Sequence, residues 1–294
     1  MEFDPGVSPD SIEWFQAEDG EPTIVSISDI HGYLDQARSA LTAVGETDEY
    51  APVVTTDGDG LLHWAGNDYV LVFNGDLIDR GPDNEECLEL LARLSSEASP
   101  GRVRYHLGNH EMAVLFPDRF PWPGVFSIEL PPDRRRSFIE TVAAGHVPAA
   151  FRGYDYTYSH AGSATEFDVA AANQEATDAA IDCLEAMGAG TFDRQQQESI
   201  IERYPTVFGI GGRGGRGPDA GLLWMDFQHM PGDAPPQIVG HSRHREPTRK
   251  GTSVCQNVIR RNKDSRGGEA VLLERPGELN AVVRTRNDVS VRAV

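Results

Sequence analysis

The sequence predicts an α/β fold, and three observations carry that expectation. Residues 69–73 (YVLVF) form a short apolar run rich in β-branched and aromatic side chains, which reads as a buried strand. Asn74 and Gly75 end it, so Asp76, Asp79 and Arg80 fall on a loop at the strand's C-terminal edge, where open α/β sheets bind ligands. The same arrangement, an apolar run followed by polar residues and then helical spacing, recurs at residues 23–28 and 103–107. The chain beyond residue 237 instead alternates apolar and polar in short pieces, which predicts hairpins closing a second sheet.

Taken in order, residues 1–20 are polar and aperiodic and read as a lead-in, with residues 21–294 a single domain. The strand at 23–28 delivers Asp29 and His31, which lie two residues apart and point to the same side. Gly32 allows a turn, and Leu34, Ala37, Leu41 and Val44 have the spacing of a helix. Turn signals at Asp57-Gly58, Asp59-Gly60 and Gly66-Asn67 predict a hairpin inserted over 45–68. After the central strand, Pro82 suits a helix's first turn, and that helix runs to about Leu94.

The strand at 103–107 ends in Gly108, Asn109, His110 and Glu111. Residues 117–132, rich in proline and aromatics, read as a surface excursion, and Arg134–Arg136 as a helix face. A strand at 154–159 leads to His160-Ala161-Gly162, and residues 164–204 are mostly helical. The glycine-rich 209–217 reads as a flexible loop; no Gly-Lys-Ser/Thr follows, so it is no phosphate-binding P-loop. A strand at 237–239 ends in Gly240-His241, and the runs 254–259, 270–273 and 281–283 are assigned to the second sheet.

Composition bounds the function. With a net charge of -20 and a pI near 4.7, and only Lys250 and Lys263 as lysines, the surface is that expected in concentrated salt. Such charge argues against nucleic acid as a partner. Cys87, Cys183 and Cys255 have neither metal-ligand spacing nor a disulfide framework. The acidic N-terminus lacks the apolar core of a secretory signal, and no apolar run approaches the ~18 residues of a membrane span. The expected location is the cytoplasm, with no membrane partner.

Asp29, His31, Asp76, Asn109, His160 and His241 each follow a predicted strand. Carboxylates, imidazoles and an amide make a mixed oxygen and nitrogen ligand set, which suits Mn, Fe or Zn better than Mg or Ca. Six ligands exceed what one catalytic metal with an open position needs. A shared carboxylate allows two metals about 3.5–4 Å apart. The histidines His63, His106, His146 and His229 read as surface or packing residues. His244 shares a basic cluster with Arg243, Arg245, Arg249 and Lys250 that could meet an anionic substrate at the rim.

The runs Asp29-Ile30-His31-Gly32, Gly75-Asp76-Leu77-Ile78-Asp79-Arg80-Gly81, Gly108-Asn109-His110-Glu111, His160-Ala161-Gly162 and Gly240-His241 resemble the calcineurin-like metallophosphoesterases. Within these they resemble the phosphoprotein-phosphatase branch. Shewanella-like phosphatases share the inserted hairpin, and symmetrical diadenosine-tetraphosphate hydrolases carry similar core motifs. The resemblance implies two mixed β-sheets packed as a sandwich flanked by helices. It implies one metal on Asp29, His31 and Asp76, and a second on Asp76, Asn109, His160 and His241, with Mn expected and Fe, Zn, Co or Ni as alternatives.

Ser28 stands where that family usually has glycine, and Arg243 where other branches carry a further histidine. The family's second phosphate-binding arginine has no unambiguous match; Arg213 and Arg216 are the best placed. Phosphate contacts are expected from Arg80, Asn109, His110 and one of those two arginines. Two cations would bring the pKa of a water between them toward neutrality and supply hydroxide for in-line attack. His110, oriented by Asp79, is the expected general acid. The expected enzyme hydrolyses phosphomonoesters, on phosphoserine or phosphothreonine in proteins or on a small phosphorylated substrate. The alternatives are a nucleotidase or dinucleoside-polyphosphate hydrolase, and a phosphate-binding module without catalysis.

Overall fold

The computed structural model describes residues 3–120 and 122–294, leaving aside the side chains of residues 18, 19, 213 and 214. Its strands, in chain order, are β1 (Thr23–Ile27), β2 (Val54–Thr56), β3 (Leu62–Trp64), β4 (Tyr69–Phe73), β5 (Val103–Tyr105), β6 (Ala150–Arg152) and β7 (Thr157–Ser159). Then follow β8 (Gln237–Val239), β9 (Thr248–Lys250), β10 (Ser253–Cys255), β11 (Ala270–Arg275), β12 (Glu278–Arg284) and β13 (Val289–Ala293). One sheet has the order β13-β12-β11-β1-β4-β5 and the other β6-β7-β8-β10-β9, while β2 and β3 pair as a hairpin.

Both large sheets are mixed. β1, β4 and β5 run parallel, as do β7, β8 and β10. Ile24, Val70, Val72 and Leu272 of the first sheet pack against Phe151, Tyr158, Ile238 and Val254 of the second. Val25, Ile27, Leu71 and Phe73, on the opposite face, meet the helices. Burial on both faces is why β1 and β4 read as continuous apolar runs without alternation. Asn74 joins the sheets at their C-terminal edges, donating to Ser159 O at 3.0 Å and Ile238 O at 3.2 Å.

Several local expectations change. The C-terminal runs were assigned to the second sheet, yet β11, β12 and β13 extend the first, with β11 antiparallel to β1. Of the predicted run at 254–259 only residues 254 and 255 are strand, in β10, and Ile259 begins a short helix, Ile259–Asn262. The lead-in contains the helix Glu13–Asp19, and Phe3, Ile12 and Phe15 are buried.

The excursion at 117–132 is no mere surface loop, since Phe120 and Leu130 are buried and Trp122 packs on the core. Arg135 does not lie on an exposed helix face. It is buried and donates to Val114 O at 2.7 Å and Ile128 O at 2.9 Å, carbonyls in the last turns of the helices Asn109–Leu115 and Phe126–Glu129 that have no partner within their own helix. The glycine-rich stretch holds one helical turn, Gly212–Gly215. Strand β6, a three-residue edge strand outside the expected elements, pairs antiparallel with β7.

Candidate metal centre

The polar residues singled out in the sequence gather where the parallel strands of both sheets end. Every non-glycine residue with positive φ among the described residues is one of them: Asp29, His31, Asp76, Asp79, Arg80 and His241, with φ between 52° and 76°. Such backbone costs of the order of 1–3 kcal/mol per residue and persists only when its surroundings impose it. Here the two loops impose it on each other: Asp29 N donates to Gly75 O at 3.0 Å and His31 N to Asp76 O at 2.9 Å. The Glu111 carboxylate accepts from Asp76 N (2.8 Å), Leu77 N (3.0 Å), Gly108 N (2.9 Å) and Tyr105 Oη (2.7 Å). A Cβ at Gly108 would collide with Asp76, so glycine is required there.

The side chains converge on Asp76. Its Oδ2 lies 3.5 Å from His31 Nε2 and 3.4 Å from His160 Nε2, and His31 Nε2 is 3.9 Å from Asp29 Oδ1. On the far side, Asn109 Oδ1 is 3.2 Å from His160 Nε2 and 3.0 Å from His241 Nδ1. The imidazole tautomers follow from their outer bonds: His31 Nδ1 donates to Ile78 O at 3.0 Å, and His160 Nδ1 to Asn74 O at 3.2 Å. Each Nε2 then faces carboxylate or amide oxygens. Carboxylate oxygens, an amide oxygen and imidazole nitrogens gathered in a buried pocket are the donor set of a divalent metal, and these residues fit one once their protons are displaced. Ligand atoms of His31, Asp76 and His110, and of Asp29, Asp76 and His160, lie within 4.8 Å of one another in each group.

With protein groups alone the cluster must hold protons. Burial, opposed by His160 and reinforced by Asp76, pushes Asp29 up to about 7. Burial would also raise Asp76, but His160, His110 and His31 together hold it well below the usual carboxylate range. Burial lowers His31 to about 3 and, with repulsion from His160, His241 to about 3. His160 goes the other way: burial is outweighed by Asp76, Asp29 and Glu111, which lift it to about 9. A metal would displace such protons.

Beside this cluster His110 Nδ1 donates to Asp79 Oδ2 at 2.5 Å, which leaves Nε2 free to face outward, 3.4 Å from Arg80 Nη2. Burial would raise Asp79, but bonds from His110 and from Ser127 N and Oγ (2.8 and 2.6 Å) keep it ionised. Trp122 lies over His110 with ring centroids 5.1 Å apart and under the Arg80 guanidinium at 5.9 Å. Arg216 stands on the His241 side, 3.9 Å from Asp226, and is exposed. The side chain of Arg213 lies outside the described residues.

Two partners escaped the sequence reading. Asn257 donates to Asp29 Oδ1 at 2.6 Å and to His241 O at 3.0 Å, and Ser127 holds Asp79. Neither follows a glycine-marked strand end, so no local signal pointed to them. His106 is buried and bonds Asn74 Oδ1 at 3.0 Å, a packing role. Among the described residues no helix is long and apolar enough to cross a membrane.

A family model described as calcineurin-like phosphoesterase matches residues 22–284. Shewanella-like protein phosphatase 2 of Arabidopsis thaliana is 32% identical over 91 residues, 30% of this chain and 20% of that protein. An asymmetrical bis(5'-nucleosyl)-tetraphosphatase of Bacillus subtilis (strain 168) is 37% identical over 84 residues, 29% of each protein. These alignments span less than a third of either relative's length. Among solved structures, the cold-active protein-tyrosine phosphatase of a psychrophilic Shewanella species has a TM-score of 0.62 at 18% identity, covering 97% of this chain and 82% of that one. That likeness is one of fold.

Proposed function

The chain belongs to the calcineurin-like phosphoesterase family of hydrolases, and on that premise we propose a two-metal phosphomonoesterase acting on phosphoserine or phosphothreonine in proteins. The observation that carries the proposal is the buried convergence of carboxylate oxygens and imidazole nitrogens on Asp76, whose Oδ2 lies 3.5 Å from His31 Nε2 and 3.4 Å from His160 Nε2. Asp29, His31 and Asp76 would hold one ion. Asp76, Asn109, His160 and His241 would hold the second, with Mn favoured by the mixed ligand set. Bound there, the ions supply Lewis acidity and a nucleophile drawn from water.

The chain's own residues do the rest. Arg80, with Arg216 or Arg213, Asn109 and His110, binds the phosphoryl oxygens, the guanidinium groups acting as planar donors. His110 Nε2 delivers a proton to the leaving oxygen. Asp79 holds the ring with Nδ1 protonated, and Ser127 keeps that carboxylate ionised and in place. Trp122 covers one face of the imidazole against water.

A substrate panel with added metals tests the reading. Extended dialysis against EDTA should abolish hydrolysis of p-nitrophenyl phosphate, and Mn should restore it; undiminished turnover by the chelated protein sinks the two-metal mechanism. Phosphoserine and phosphothreonine peptides should show higher kcat/KM than diadenosine tetraphosphate. The Bacillus relative's name motivates the second reading, a dinucleoside-polyphosphate hydrolase, and a tenfold preference for the dinucleotide would establish it instead. The same proposal puts the protein in the cytoplasm of a salt-rich cell.

A further inference from the structure

A basic arc beside His241 has no part in the reaction described above. Residues 243–266 carry eight of the chain's 26 basic residues and two of its 46 acids, in a protein of net charge -20. Both acids are engaged, Glu246 facing Arg292 at 3.9 Å and Asp264 holding Lys263 at 2.6 Å. Among the described residues no carboxylate pairs with Arg243, Arg260 or Arg261.

The arc borders a groove of about 550 Å³ that opens from His241 and is lined by Arg216, Arg243, Arg261 and Lys250. Its one carboxylate, Asp226, is occupied by Ser242 Oγ at 2.8 Å and Gln228 N at 3.2 Å. Asp226 also faces Arg216 at 3.9 Å, which leaves the groove with more cations than carboxylates, an excess that binding of an anionic group would relieve. We propose that this groove is a subsite for acidic side chains flanking the phosphorylated residue of a peptide substrate. The inference rests on the phosphoprotein reading and narrows it.

Two features favour an acidic peptide over a nucleotide. The groove's aromatic residue, Phe227, is buried and packs edge-on against His244 at 5.7 Å, so it offers no platform for a base. Two of the groove's charges, Arg249 and Lys250, instead lie on β9, the edge strand of the second sheet, whose outer side is open to an extended chain that can place carboxylates against them and against Arg243 and Arg261.

The test compares phosphoserine peptides flanked by glutamates with the same peptides flanked by glutamines, and p-nitrophenyl phosphate, in the metal-loaded protein. The glutamate peptide should have a KM lower by about tenfold, from two or three exposed pairs, and added KCl should shrink that advantage. Arg243→Gln with Arg261→Gln should bring the ratio close to one while p-nitrophenyl phosphate turnover stays within about twofold. Each single substitution should remove part of it, which guards against misfolding of the pair.

Equal KM for the two peptides in the wild type, or an unchanged ratio in the folded double variant, overturns the subsite. Absence of turnover on every substrate would instead defeat the phosphatase reading. Calorimetric binding of the unhydrolysed peptides then decides the groove separately: the same ratio in Kd supports it and equal Kd overturns it.

Discussion

Asp76 is engaged on both oxygens, Oδ1 accepting from His110 N at 2.9 Å and Oδ2 facing the imidazoles of His31 and His160. Asp76→Asn should therefore cost both ions, well beyond the ~10–100-fold typical of an outer-shell change. Metal counting checks this, and wild-type retention of two metals would contradict a shared ligand. His110→Asn should differ in kind, because its ring is held by Asp79 and presents Nε2 outward. Both metals should stay while turnover falls ~10²–10⁴-fold. The loss should shrink with p-nitrophenyl phosphate, whose leaving group needs less protonation; equal losses across leaving groups would remove His110 as the acid. These residues were legible because each follows an apolar run directly. Asn257 was not, since its partner Asp29 lies 228 residues away.

At the scale of elements, β11 carries a side chain that ties the two sheets together. Glu274 is buried and accepts from Tyr158 Oη (2.7 Å), Asp155 N (2.6 Å) and Tyr156 N (3.0 Å), in β7 and the turn before it. Burial, against the bonds from Tyr158, Asp155 and Tyr156, raises its pKa from 4.5 to about 7. The native state then holds a proton that the unfolded chain has lost. Its contribution to stability is fully present below pH 4.5 and is lost as pH rises to about 7. The change is on the order of 3 kcal/mol. Glu274→Gln does not titrate, so the stability difference should move in the variant's favour between those pH values, as read by urea unfolding. A difference independent of pH would show that Glu274 ionises as easily in the fold as in the unfolded chain.

For the whole molecule, the charge of -20 sets the balance. Self-repulsion among exposed carboxylates opposes the compact state, and salt screens it, the Debye length falling to about 3 Å at 1 M. The thermal midpoint should rise by several degrees as KCl increases, measured by circular dichroism on the metal-loaded protein. A midpoint indifferent to KCl would remove the support for a salt-rich habitat.

What the sequence determined by itself was the strand-to-loop units and the chemistry at their ends. An apolar run says that a strand is buried, and a glycine with acids or histidines after it says where the run stops. Both are local statements, and β1, β4 and β8 lie within a residue of where they were expected. Only the tertiary structure decided which sheet the C-terminal strands join. Periodicity records which faces of a strand are buried and never names its partner, and β11 pairs with β1 across nearly the whole chain. The burial of Arg135 was decided the same way, by the end carbonyls of two neighbouring helices that no pattern in its own helix announces. The basic arc beside the metal centre was half legible: composition showed the charge, and folding brought Arg216 to the same groove from a different segment.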